Sequence, residues 1–338
     1  PPPPGPVPTV DIIATSRNGD AIVMFKDILN NHPVVGADVV IDNTGPTTLD
    51  NHGRLAYENG WLAVNSNDDN NVIVYGDVQN LTNQQVPNAI LPIPSTGRGC
   101  CLSGGDLYVL TGNELHIWRD VTTVANADPA DAIITGFNQP VDCLVYMDAL
   151  FVGERSGDAF HRFDGASTLA SGVAAPDATV VYNEVRRLYM HQGTLWVCDD
   201  NDNSFTAGYD DPLNLTAATQ PDQVIFGAIQ IDGRRSMVFS GDLAFIANKN
   251  TQNDVVFNVV DLNNPAQPKA VIKDNEISFE DAYDVKLIGG VLFLHADDTP
   301  AVFWYLNPES IVSGQSPDGF VFDARLDDGK MIAGWVRP

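Results

Sequence analysis

One pattern recurs seven times along the chain and constrains its fold more than anything else: two short apolar strands about a polar turn. It reads "VDIIATSRNGDAIVMF" from Val10, "GWLAVNSNDDNNVIVY" from Gly60, "GGDLYVLTGNELHIW" from Gly104 and "DALFVGERSGDAFHRF" from Asp148. It returns as "GTLWVCDDNDNSFTAGY" from Gly193, "GDLAFIANKNTQNDVVFNVV" from Gly241 and "GVLFLHADDTPAVFWYL" from Gly290. The spacing, roughly 43 to 50 residues, is the period of repeated all-β units. Apolar residues alternate with others inside each copy, and the Asn, Asp, Gly and Ser between them are hairpin residues.

Further strands flank the hairpins. Several that follow open with Pro and an acidic residue or Ala: "PADAIITG" from Pro129, "PDATVVY" from Pro176, "PDQVIFG" from Pro221 and "PDGFVF" from Pro317, with "GADVVID" from Gly36 and "PNAILPI" from Pro87 as variants. Pro donates no ladder bond and is tolerated where a strand begins. Six hairpins are preceded by another apolar strand: "GRLAYENG", "GRGCCLSG", "VDCLVYMD", "RRLYMHQG", "RRSMVFSG" and "YDVKLIGG". The first, at Val10, has only a Pro-rich stretch before it, whereas "DGKMIAGWV" from Asp328 has the missing pattern and no hairpin after it. Joined, the two ends complete one unit.

The pattern predicts an all-β fold: seven four-stranded antiparallel blades in a ring, closed when the C-terminal strand enters the N-terminal blade. Closure hides the apolar faces that an open stack would expose at its ends. Residues 1–9 are expected to be a Pro-rich tail and 10–338 a single domain. The repeat, for example "DLYVLTGNELHIW" followed by "PADAIITG", resembles seven-bladed β-propellers with NHL-like or related repeats. That resemblance implies the fold and binding at one face, but no activity, since propellers host many functions.

With 44 acidic and 18 basic residues the chain carries a formal charge of −26, which repels phosphate backbones and anionic lipids, so nucleic acid is not an expected partner. No apolar run approaches the roughly 20 residues of a membrane helix. Neither an initiator Met nor a signal peptide opens the sequence, as in a processed mature chain or a trimmed one, and a secreted, periplasmic or cell-surface location is the expectation.

In a propeller of this strand order, the connections between blades and the loops inside the repeated hairpins reach one face. The blade-opening segments place Arg54, Arg98, Asp142, Arg187, Arg235, Asp284 and Lys330 at similar offsets there, with His52 beside Arg54. Two readings follow. Either the cations form a ring that receives a small anion, a glycan or an acidic peptide, Arg being shaped for carboxylate or phosphate, or they pair with acidic neighbours and fasten blade to blade.

Hairpin-loop oxygens, including Asp68, Asp69, Asp199, Asp200 and Asp202, make calcium the one cofactor to consider, although none of these loops has the spacing of a calcium-binding hand. Asp and Asn also suit plain turns. The six histidines show no metal spacing, and His52 is the only one placed at the mouth. Cys100 and Cys143 share an offset on consecutive innermost strands, which makes them the disulfide candidate, against a reading as free buried thiols. The Trp residues are expected to pack between blades rather than to form a sugar platform.

No nucleophile elbow, phosphate loop or dinucleotide fingerprint is present. The expected function is therefore a non-enzymatic, extracytoplasmic scaffold for a protein partner or self-assembly, using the mouth and the Pro-rich tail. The alternatives are a metal-dependent hydrolase, lactonase or lyase in the channel and a small-anion or glycan binder.

Overall fold

A computed structural model describes residues 7–16, 18–31, 34–45, 49, 52–66, 68–199, 206–225, 234–248, 255–273, 282–296 and 299–337. These residues form seven sheets, each antiparallel across four consecutive strands. The ring closes as the two chain ends suggest. Gly329–Val336 pairs with Val10–Ser16, from Val10 opposite Val336 to Ser16 opposite Gly329, and Ala21–Phe25 and Val39–Asp42 complete blade 1. Arg337 adds its N–H to Thr9 O at 2.8 Å, and its side chain grips the buried Asp11 at 2.5 and 2.7 Å.

Blades 2 to 7 begin with the innermost strands His52–Glu58, Gly97–Ser103, Pro140–Tyr146, Val185–His191, Arg234–Ser240 and Ala282–Ile288. The apolar residues sort into seven clusters, one in each seam between neighbouring blades. Successive strand residues face opposite sides, so Leu292 packs toward blade 6 and Phe293 toward blade 1. Interior strands are consequently buried on both faces, as in Ala149–Glu154. Each fully buried Leu, Ile or Val contributes roughly 1.5–3 kcal/mol. The seam between blades 7 and 1, with Val10, Ile12, Phe293, Trp304 and Ile332, thus outweighs any single polar contact in holding the ring shut. Trp118, Trp196 and Trp304 are buried in such seams.

The acidic openings of the outermost strands have a definite job. Asp38, Asn88, Asp131, Asp177, Asp222 and Asp318 each accept a backbone N–H from the end of the third strand or the residue just after it, at 2.7–3.0 Å. That N–H lies beyond the ladder and would otherwise face only solvent. Blade 6 has a fourth strand that the opening pattern does not announce, Pro268–Lys273, begun by Gln267-Pro268-Lys269. Its register against Val255–Asp261 shifts twice.

A second clasp runs around the perimeter. Loops of one blade supply acceptors to the outermost strand of the preceding one: Asn83 to Val40 N–H, Asn126 to Ile90, Ser171 to Ile133 and Ser313 to Val271, at 2.8–3.1 Å. Two such loops add short parallel strands, Gly172–Val173 on blade 3 and Val34–Val35 on blade 7. These contacts blunt sheet edges that would otherwise pair with other chains.

Candidate functional site

All seven innermost strands carry one extra residue near their start, where the pairing register with the second strand shifts. Such a bulge re-aims the residue after it. The residues that follow the bulges are Met331, Arg54, Gly99, Asp142, Arg187, Ser236 and Asp284, going around the ring from blade 1. Lys330, Arg98 and Arg235 occupy the bulges themselves. The cationic residues aligned in sequence therefore belong to two levels, not to one ring. The side chains of Arg235 and His52 lie outside the described residues.

The inner level is closely packed. Asp142 is buried and accepts the Leu188 N–H of the next blade at 2.8 Å. Asp284, wholly buried, accepts Ile332 N–H at 2.9 Å and Ser236 Oγ–H at 2.5 Å, joining blades 6, 7 and 1. Tyr189 OH receives Met237 N–H at 2.9 Å. Arg54 donates Nε–H to Arg98 O at 3.3 Å, and Arg187 reaches across the channel to Met331 Sδ at 3.2 Å. Gly99 has no room for a side chain, because a Cβ there would stand 2.6 Å from Val141 O. Burial pushes the Asp142 carboxyl above its usual range, with Arg54, Leu188 N–H and Lys286 pulling the other way. Nη1 of Arg54 is buried without a hydrogen-bond partner. At the outer level Lys330 pairs with Asp328 and lies 4.4 Å from the centre of the Tyr283 ring.

On the far side of this constriction, where the innermost strands turn into the second strands, the channel widens into a cavity of about 280 Å³. Its wall combines Leu55, Val238, Leu287, Ile288 and Ile332 with Tyr57, which stacks on Trp335 at 5.4 Å between centroids. Among the described residues Lys286 is its one cation, about one-third exposed and 3.8 Å from Asp284. Sequence reasoning looked to the opposite face. A single Lys among apolar residues on one strand carries no linear signal, and only the ring brings blades 1, 2, 6 and 7 around it.

Asp68 and Asp69 belong to blade 2, where Asp69 accepts Ser66 Oγ–H at 3.1 Å, while Asp199 is buried in blade 5. Asp200 and Asp202 lie outside the described residues. Among the described residues no three His, Cys, Asp or Glu side chains are grouped to hold a metal ion. The thiol nearest Cys143 is Cys101, with the sulfurs 3.4 Å apart, in place of Cys100. Cys100 and Cys101 are consecutive and so face opposite seams: Cys100 packs against blade 2 and Cys101 against blade 4.

The fold defines a seven-bladed β-propeller. No protein-family model matches the chain, and no curated protein is similar to it in sequence. Solved structures are similar in fold. The computationally designed Ika8 protein superposes with a TM-score of 0.59 at 8% identity, over 94% of this chain and 87% of that one. The WD40 β-propeller domain of Doa1 gives 0.58 at 8% identity over 78% and 80%. A chain of the mitotic checkpoint complex gives 0.57 at 14% identity over 79% and 75%. Among the described residues no helix is long and apolar enough to cross a membrane.

Proposed function

We propose that this propeller is a non-catalytic, extracytoplasmic platform that binds a protein partner through the mouth of its channel opposite the hairpin loops. The observation that carries the reading is the division of the channel into a constriction built from blade-fastening contacts and an open cavity lined by apolar side chains and, among the described residues, one cation. Asp142 and Asp284 each commit an oxygen to a backbone N–H of the next blade, and Asp284 its other oxygen to Ser236 of the preceding one, which suits structure better than proton transfer. The cavity, at about 280 Å³, has the size for one or two side chains rather than a whole substrate. A bulky apolar side chain beside a carboxylate fits its chemistry: the first against Leu55, Val238 and Leu287, the second on Lys286, whose 3.8 Å separation from Asp284 leaves ammonium donors for a ligand. Propellers commonly serve as interaction scaffolds, and one similar structure is part of a multi-protein complex.

A random peptide library displayed on phage and selected on the immobilised protein tests this. Enriched peptides are expected to pair a bulky apolar residue with an acidic one, and their affinity, read by fluorescence anisotropy, to weaken about tenfold for Lys286→Met, one lost charge-assisted contact. Peptides that bind Lys286→Met as tightly as the parent, or a selection that enriches none, would contradict it.

A further inference from the structure

We propose that Cys101 and Cys143 form a reversible disulfide that staples blade 3 to blade 4. Their strands, Gly97–Ser103 and Pro140–Tyr146, are the innermost of adjacent blades, and the two thiols face each other across the seam with sulfurs 3.4 Å apart. Bond formation brings them to about 2.0 Å. The other two cysteines have different surroundings: Cys100 packs in the seam with blade 2, and Cys198 sits in blade 5 with Thr206 Oγ–H directed at its sulfur.

Access is unequal and sets the order of events. Cys101 is partly exposed and Cys143 buried, so a small disulfide such as oxidised glutathione meets Cys101 first. The Cys101 thiolate attacks one glutathione sulfur and expels the other glutathione as a thiolate. The Cys143 thiolate then attacks Cys101 Sγ in the mixed disulfide and expels the second. One protein S–S bond forms, two thiol protons are lost, and oxidised glutathione takes up the two electrons. The hydrogen bond with Cys101 and burial push the Cys143 thiol above its ordinary range; once Cys101 carries glutathione, burial still disfavours the thiolate, so the second step quickens with rising pH. The closed bond would span 42 residues of chain, restricting the unfolded state and raising the melting temperature by about 5 °C.

The test incubates the folded protein with oxidised glutathione, quenches with iodoacetamide and reads the intact mass, the cross-linked peptide and the melting temperature. The Cys100→Ser variant is used alongside the parent, because the peptide alone does not separate neighbouring cysteines. Loss of two hydrogens, a link between Cys101 and Cys143 in Cys100→Ser, a higher melting temperature reversed by dithiothreitol, and no link in Cys143→Ser are expected. A persistent glutathione adduct on Cys101, a link through Cys100 or Cys198, or an unchanged mass would overturn the proposal.

Discussion

Replacing Asp284 with alanine is expected to destabilise the protein by about 3–5 kcal/mol, the range for removing a buried charged acceptor and stranding its donors. The carboxylate is inaccessible to solvent and holds Ile332 N–H of blade 1 and the Ser236 hydroxyl of blade 6 from a strand of blade 7. The substitution leaves both donors without their acceptor. The loss falls beside the closing seam, where the C-terminal strand meets its neighbour. Since domains of ordinary stability have only about 5–15 kcal/mol in hand, the change is large. Asp284→Asn keeps one oxygen acceptor and should lose less. Urea unfolding followed by tryptophan fluorescence measures both; a change below about 1 kcal/mol for Asp284→Ala would show that the contact does not bind the blades together.

The second large effect is a dependence on pH that comes from one residue. His295 lies in blade 7, wholly buried, and its pKa is lowered to about 4, chiefly by burial, with the Lys330 ammonium acting the same way and the Asp284 and Asp328 carboxylates opposing. In the unfolded chain it takes a proton near pH 6.5, whereas in the fold it stays neutral until about pH 4. The unfolded state therefore binds more protons between these values, and stability falls as pH falls through that window, by up to about 3 kcal/mol. Asp142 works in the opposite sense: its raised pKa means that the folded state holds the extra proton above pH 3.8, so its contribution declines as pH rises. The difference between the parent and His295→Gln isolates the histidine. The variant should lose less stability between pH 6.5 and pH 4.5; equal slopes would show that His295 is protonated in the fold.

Much of this architecture is legible in the sequence because a propeller repeats its local chemistry. The hairpins announce themselves by turn residues and alternation, and the orphan strand "GKMIAGWV" at one end matches the vacancy before Val10 at the other. Pro followed by an acidic residue marks outermost strands because the acidic side chain closes a hydrogen bond twelve or thirteen residues back in the chain. Blade 6 lacks that carboxylate, and its fourth strand is correspondingly silent. The site is harder to read. A bulge of one residue reverses which side chain enters the channel, so Arg98 and Lys330 leave the level of Arg54 and Arg187 although their sequence offsets nearly agree. The same parity sends Cys100 away from Cys143 and Cys101 toward it. Lys286 becomes conspicuous only when blades distant in sequence surround it.

The claim on which the rest depends is that the ends of the chain form one blade and make the ring a single cooperative unit. Amide hydrogen exchange of the segment 329–337, followed by mass spectrometry, tests it most directly. The amides of a C-terminal strand that pair with Val10–Ser16, sealed by the blade 7 to blade 1 seam, should exchange only through global opening, as slowly as the paired amides of Pro140–Tyr146, the innermost strand of blade 4. Exchange within seconds, at the rate of an unattached terminus, would contradict the closed ring.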